Sequence, residues 1–369
     1  MKPLEGIKVV ELARILAGPW CGQLLADLGA EVIKIERPGE GDDTRHWGPP
    51  FLYSPEGENL DAAYYHACNR GKTSRAIDIA SAEGQAEVHT LIAGADVVIE
   101  NYKVGGLVKY GLDPASLIAA DPRLIVCSIT GFGQDGPYAA RAGYDFIIQG
   151  MGGAMSLTGE PDGPPQKAGM AYADLFTGVY SAVAILAALR RRDVTHAGAH
   201  IDMALLDTQV GVLANQALNW MANPAHVPSR MGNGHANLVP YQAFACADGE
   251  LIVAVGNDSQ FRKFCAVLGL NLAEDERFAT NPVRVRNRAA LIPLLARAIL
   301  DWAKADLYEA LEQAGVPAGP INSVADVFAD PQVIARGMRI ERGGLPGLAS
   351  PIVIDGERMV SDRASPRRP

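Results

Sequence analysis

Short runs of β-branched and aliphatic residues alternate with Ala/Leu-rich stretches through the first two hundred residues, and this alternation is the main fold signal in the chain. Residues 7–12 read as a strand, 22–28 as a helix, 31–35 as a strand, 84–92 as a helix, and 96–99 and 124–129 as strands. Strands alternating with helices predict an α/β domain built on a largely parallel sheet. Such sheets bind ligands at the carboxyl ends of their strands, so the loops after Leu12, Ile35, Ile99 and Ile129 are the candidate positions. The run 179–189 (Val179, Tyr180, Ala182, Val183, Ile185, Leu186, Leu189) is apolar all round and predicts a buried helix. Arg190-Arg191-Arg192 closes it, where cations complement the helix dipole. Residues 199–206 are again strand-like, and 223–233, rich in Pro, Asn and Gly, read as a crossing linker. Beyond it, 242–247 and 251–256 form an expected hairpin across Asp248-Gly249, and 260–268, 288–302 and 306–314 read as helices. This predicts a second, smaller α+β domain that closes near 315–320, and the last residues, 365–369, are expected to be mobile.

Composition narrows the classes. Of 369 residues, 48% are apolar and 20% charged, which suits a large core and excludes a disordered chain. With 33 basic against 42 acidic residues the net charge is −9, which argues against nucleic-acid and anionic-membrane partners while leaving room for a local basic pocket. The cysteines (Cys21, Cys68, Cys127, Cys246, Cys265) are odd in number and widely spaced, as in a reduced compartment, and read as buried inert thiols. The N-terminus lacks signal-peptide character and no apolar run reaches about 18 residues, so a cytoplasmic protein without a membrane span is expected.

The candidate chemistry centres on Asp174, in Ala-Tyr-Ala-Asp-Leu-Phe-Thr-Gly at 171–178, between a Gly/Pro-rich stretch and the apolar run. Asp is a favoured N-cap, and the N–H groups of a helix start stabilise negative charge. From this octapeptide alone Asp174 is either an ordinary cap or a capped carboxylate able to attack an acyl thioester. Other signals mislead. Gly131-Phe132-Gly133-Gln134-Asp135-Gly136 matches a dinucleotide fingerprint, but Pro137 and Tyr138 follow where a helix should start. His196 and His200 have i,i+4 spacing across Gly198 in a turn-like segment, and no metal-ligand cluster, GxSxG elbow or Walker A sequence is present, so no metal site is expected.

Several segments acquire meaning together: Ala17-Gly18-Pro19 after the first strand; Gly29 to Gly39 (GAEVIKIERPG); Gly41-Asp42-Asp43-Thr44-Arg45; Asn69-Arg70-Gly71-Lys72; Glu100-Asn101-Tyr102; Gly143-Tyr144-Asp145; the Asp174 octapeptide; Val239-Pro240-Tyr241-Gln242-Ala243-Phe244; and 315–320. In this order they resemble the class III CoA-transferases, the superfamily of formyl-CoA transferase, carnitine CoA-transferase and methylacyl-CoA racemase, from about residue 4 to 365. The resemblance implies an interlocked homodimer whose chains each carry a Rossmann-like large domain made from both chain ends and a small α+β domain between them. On this chain it implies 1–205 as the first part of the large domain, 206–232 as linker, 233–320 as the small domain and 321–369 as the return. It implies no tightly bound cofactor, with coenzyme A and acyl-CoA as substrates and a carboxylic acid as acceptor. The motif match makes Asp174 the catalytic nucleophile, forming aspartyl anhydride and aspartyl-CoA thioester intermediates.

CoA-binding positions carry over by motif. Leu16 and Ala17 match the loop after the first strand, with Leu16 where formyl-CoA transferase has a Gln. Arg37 matches a phosphate-binding arginine, a role suited to the guanidinium fork. Ile77, Asp78, Ile79 and Ala80 match the adenine loop, Ala80 replacing a frequent lysine. Asn101, Tyr102 and Lys103 match the segment after the 96–99 strand, and Lys109 replaces an arginine. Racemases of the superfamily carry Gly-His-Asp where this chain has Gly143-Tyr144-Asp145. Tyrosine is a poor base at neutral pH, so transfer is favoured over racemisation, with Tyr144 as a buried aromatic lining the acyl pocket. The motif around 41–51, the Gly-Tyr-Asp motif and Gly234-His235 are most similar to transferases of short dicarboxylic acids, implying succinyl-CoA as donor. Gly232-Asn233-Gly234-His235 stands where formyl-CoA transferase has a four-glycine loop. A distal carboxylate needs a cationic or multi-donor clamp, for which Arg14, Arg45 and His46 are the candidates; Arg45 equally suits a structural ion pair with Asp42 or Asp43. The alternatives are a racemase of the same superfamily and a CoA-binding protein without catalysis. The resemblance also implies a Pro-rich turn and a helix beyond Pro369.

Overall fold

A computed structural model describes residues 2–369. The chain divides into two compact units. The larger runs through Ala154, resumes over Lys167–Ala214 and closes with Asp330–Pro369; the smaller takes Met155–Gln166 and Asn215–Ala329. Met155–Gln166, read from the sequence as part of the large domain, therefore groups with the smaller unit.

The larger unit holds six parallel strands: β1 (Lys8–Glu11), β2 (Glu31–Glu36), β3 (Thr73–Ala76), β4 (Val97–Glu100), β5 (Ile125–Thr130) and β6 (Ala199–Ala204). Their order is β3-β2-β1-β4-β5-β6. The crevice between β1 and β4, where the order reverses, is the topological switch point of a doubly wound sheet. The side-chain period of two sends neighbours to opposite faces. Val9, Val97, Ile99, Ile125 and Cys127 join one core with α1 (Ala17–Asp27) and α4 (Tyr172–Thr195), while Val10, Val98 and Val126 join another with Val88 and Ile92 of α2 (Ala82–Ala93). β3 is absent from the sequence expectation because Thr-Ser-Arg-Ala carries no apolar alternation at this edge position.

α1 and α4 cross closely. A Cβ on Gly178 would lie 2.7 Å from the Ala17 carbonyl oxygen and 3.0 Å from the Trp20 ring. The residues of α4 turned inward are mostly small: Ala173, Thr177, Gly178, Ser181, Ala182, Ala188, with Ile185 and Leu189. Its large apolar side chains, Phe176, Val179, Tyr180, Val183 and Leu186, are exposed. The expectation of a helix buried all round is thus corrected: both faces are apolar, so no polar stripe marks the outer one. By length and composition α4 would also suffice to cross a membrane, contrary to the run-length expectation, because the helix extends past the 179–189 run at both ends; it packs on α1, β5 and β6.

The smaller unit has an antiparallel sheet, β9-β8-β7, of β7 (Tyr241–Cys246), β8 (Gly249–Ala254) and β9 (Ala318–Pro320). Helices α6 (Asp258–Val267), α7 (Arg288–Ile299) and α8 (Lys304–Ala314) cover a core of Phe244, Leu251, Phe261, Phe264, Leu291 and Leu307. The hairpin falls across Ala247-Asp248 and the strand ends match the sequence expectation to within two residues. Residues 206–232, expected as linker, carry the helices Leu205–Gly211 (α5) and Ala214–Ala222, with irregular chain only after them. The C-terminal residues are held rather than loose: Ser365 is buried and its Oγ meets His66 Nδ1 at 2.5 Å.

Candidate active site

The first turn of α4 presents Asp174 as its third residue, with Ala171 at the N-cap and no side-chain cap from the helix itself. The cap comes from Asp145, the first residue of α3 (Asp145–Met151). Its Oδ1 accepts the backbone N–H of Ala173 at 2.8 Å and of Asp174 at 3.3 Å. The expectation that Asp174 caps its own helix is therefore wrong by three positions. A carboxylate at the third residue cannot fold back on the N–H groups that Asp145 already holds.

This changes the electrostatics of Asp174. Burial raises its pKa, the adjacent Asp145 carboxylate raises it further, and it stands at about 7. Among the described residues neither aspartate joins an ion pair, and the Asp174 side chain retains partial exposure. The result is a reachable, uncompensated carboxylate that ionises near neutrality. Tyr64 faces the same place, in a short helix over Ala63–Ala67. Burial, then the charges of Asp174, Cys68, Asp145 and Asp42, push its phenol up to about 12, so it stays a hydrogen-bond donor at neutral pH. Trp47 meets the Tyr64 ring edge-on, centroids 5.3 Å apart. Neither aromatic was singled out from the sequence as a site residue, because the folds that bring them here are long-range and leave no local pattern.

Tyr144, expected as buried, is 58% exposed at the N-cap of α3 on this chain. The candidate clamp divides. Arg45 is 1% exposed and spent on the fold. It pairs with Glu36 at 2.7 Å and Asp61 at 2.6 Å, donates to the Tyr65 hydroxyl at 2.7 Å and lies over the Tyr65 ring. It is excluded as a substrate clamp, and its partners are not the expected Asp42 and Asp43, which lie on its own loop. Arg14 is exposed and pairs with Asp43 at 2.8 Å, and exposed His46 meets the Glu40 carbonyl at 3.2 Å.

The predicted CoA residues gather along the carboxyl edge of the sheet. Leu16 and Ala17, both buried, open α1 just beyond β1. Arg37 follows β2 and pairs with Glu40 at 2.6 Å, both exposed. Ile77 is buried just past β3, and Asp78 Oδ1 accepts the Ala80 N–H at 2.9 Å, turning Ile79 and Ala80 toward α2. Asn101, Tyr102 and exposed Lys103 follow β4. Asn101 bridges the switch-point crevice: its Oδ1 accepts the Arg14 N–H at 3.0 Å and its Nδ2 donates to the Arg14 carbonyl at 2.6 Å. Lys109 is exposed, with Nζ 4.6 Å from the Tyr110 ring centre. In the smaller unit, His235 Nδ1 accepts the N–H groups of Asn237 and Leu238 at 3.0 and 3.1 Å, so the proton of the neutral ring sits on Nε2. Gly234 is half-buried beside it. A separate cavity of about 410 Å³, lined by Glu58, Asp61, His66, Arg367 and Arg368 among others, contains none of the predicted site residues.

The family model described as CoA-transferase family III matches residues 4–368. A succinate–glutarate CoA-transferase of Agrobacterium fabrum is 55% identical over 371 residues, covering 99% of this chain and 92% of that protein. The succinyl-CoA:glutarate CoA-transferase of Mus musculus is 43% identical, covering 92% of this chain and 77% of that protein. A crystal structure of a CAIB/BAIF family protein from Brucella suis superposes with a TM-score of 0.88 at 60% identity, covering 99% of this chain and 96% of that one.

Proposed function

The chain belongs to CoA-transferase family III, and from that premise we propose that it moves CoA from succinyl-CoA to glutarate with Asp174 as the covalent nucleophile. The observation that carries the nucleophile is the uncompensated Asp174 carboxylate, partly exposed and poised near neutrality beside Asp145. The donor and acceptor are those named for the Agrobacterium and mouse relatives.

In the first step an Asp174 carboxylate oxygen attacks the thioester carbonyl of succinyl-CoA. The C–S bond breaks, giving a succinyl–aspartyl anhydride and CoA thiolate. The thiolate then attacks the Asp174 carbonyl of the anhydride, releasing succinate and leaving an aspartyl-CoA thioester. Glutarate repeats the cycle in reverse: its carboxylate displaces the thiolate to form a second anhydride, and the thiolate attacks the glutaryl carbonyl. Glutaryl-CoA leaves and the Asp174 carboxylate is restored. Tyr64, protonated at neutral pH, donates to developing negative charge on the acyl oxygen. Leu16, Ala17, Arg37, Ile77, Asp78, Ile79, Ala80, Asn101, Tyr102, Lys103 and Lys109 form the CoA site along the strand ends. Arg14, His46 and Tyr144 contribute to the acyl pocket. The exposed apolar face of α4 suits burial against a second copy in an interlocked homodimer. Five free, buried cysteines fit a reduced cytoplasmic setting.

The test is hydroxylamine trapping during turnover. Incubation with succinyl-CoA should give a hydroxamate at Asp174, and Asp174→Asn should lower transfer by about a thousandfold or more. Undiminished transfer by a folded Asp174→Asn chain would refute the assignment.

A further inference from the structure

The cap that Asp145 supplies is itself held by one side chain. Gln149, one turn on in α3 and 1% exposed, donates from Nε2 to Asp145 Oδ2 at 2.7 Å. The same Nε2 reaches the Met170 carbonyl at 3.4 Å, and Oε1 accepts the Ala168 N–H at 2.9 Å. One buried amide thus joins α3 to the segment that leads into α4, and its two donor hydrogens and its acceptor are all engaged. Oδ2 is turned toward Gln149 while Oδ1 takes the N–H groups of Ala173 and Asp174, which fixes the rotation of the Asp145 carboxylate. No isosteric residue can do this: Glu lacks the donors and Met lacks both functions.

We infer that Gln149 is a positioning residue of the transfer reaction, acting through Asp145 to fix the first turn of α4 and so the placement and ionisation of Asp174. The inference rests on the reading of Asp174 as nucleophile. The groups that face Asp174 are few. Asp145 comes from α3 and Tyr64 from the helix over Ala63–Ala67. α1 presents Ala17 and Trp20 to Gly178, and α5 presents uncharged Gln209 to the Tyr172 hydroxyl at 3.3 Å. The field on Asp174 is therefore governed by Asp145, and the orientation of Asp145 by Gln149.

Gln149→Met removes the donor from Asp145, which becomes free to turn away, and the repulsion on Asp174 falls. Gln149→Glu sets a second carboxyl beside Asp145 and increases the repulsion. Both full-length variants are assayed with succinyl-CoA and glutarate, with folding checked by circular dichroism. Expected is a fall in kcat of about 10- to 100-fold with the succinyl-CoA KM within about twofold, as for lost alignment. The acid limb of kcat/KM should lie near pH 7 in the parent chain and move down in Gln149→Met and up in Gln149→Glu. A role in packing alone lowers stability but does not split the two limbs in opposite directions. Parental kcat and limb in both variants, or limbs moving the same way, would overturn the inference. Should Gln149→Met fail to fold, Gln149→Glu decides by itself, since its limb must rise. Parental kinetics in the Gln149 variants beside an inactive Asp174→Asn reject this inference alone, whereas an active Asp174→Asn rejects the nucleophile.

Discussion

Two groups of carboxylates in the larger unit, one buried and one half-buried, have opposite fates. Under the first strands, Glu11 meets Lys34 at 3.1 Å and Lys72 at 2.8 Å, Asp42 meets Lys34 at 2.9 Å, Glu36 and Asp61 share Arg45, and Asp27 meets Arg70 at 2.6 Å. At the start of α4, Asp145 accepts two backbone N–H groups and the Gln149 amide, and among the described residues neither it nor Asp174 meets a cation. Burial by itself would raise Glu36, but hydrogen bonding and charge from Arg45 bring it down to about 2. Burial and a like charge instead carry Asp174 to about 7. A carboxylate locked to a cation is a structural part; one left uncompensated keeps the basicity and freedom that attack on a carbonyl needs.

The comparison can be broken from either side. The largest effect on stability is expected from Arg45→Met, which strands Glu36 and Asp61 in a dry site and should cost about 3–5 kcal/mol in urea unfolding. KM for glutarate in the folded fraction should barely change; a large rise would restore Arg45 as a substrate clamp. Next, Asp174→Asn should stabilise the protein at alkaline pH. The native carboxyl has a raised pKa, so the native state keeps a proton that the unfolded chain has lost, and stability falls as pH rises from about 4 to about 7. Removing the charge should therefore gain about 1–2 kcal/mol above pH 7 and nothing below pH 4, read from unfolding curves across that range. An equal gain at both ends would mean that Asp174 carries no such burden. The smallest structural effect belongs to Arg37→Ala. Its pair with Glu40 is exposed, so stability should shift by less than about 0.5 kcal/mol. KM for succinyl-CoA should nonetheless rise several-fold, and an unchanged KM would remove Arg37 from the phosphate site.

The alternating runs located every strand of the large sheet except polar β3, and in the smaller unit the hairpin and α6, α7 and α8, but not the helix Ala214–Ala222. Boundaries failed where local pattern is weak. α1 begins at Ala17, five residues before the expected start, because Gly18 and Pro19 look like loop but serve a tight helix start in which a Cβ on Gly18 would run into Ala13. The motif Asn69-Arg70-Gly71-Lys72 contributed to the resemblance, yet its Arg and Lys are buried partners of Asp27 and Glu11. Its recurrence is explained by the scaffold under the site.

The sequence by itself determined the parallel α/β class and the family and pointed to Asp174 as the candidate nucleophile, because periodicity and ordered motifs are local properties that survive without coordinates. Tertiary structure alone decided what Asp174 is. Asp145, 29 residues away, takes the cap; Gln149 orients Asp145; Tyr64 arrives from another strand connection; and Arg45 is claimed by Glu36 and Asp61. Charge, burial and proton affinity depend on what lies within a few ångströms in space, and that neighbourhood is assembled only when the chain folds.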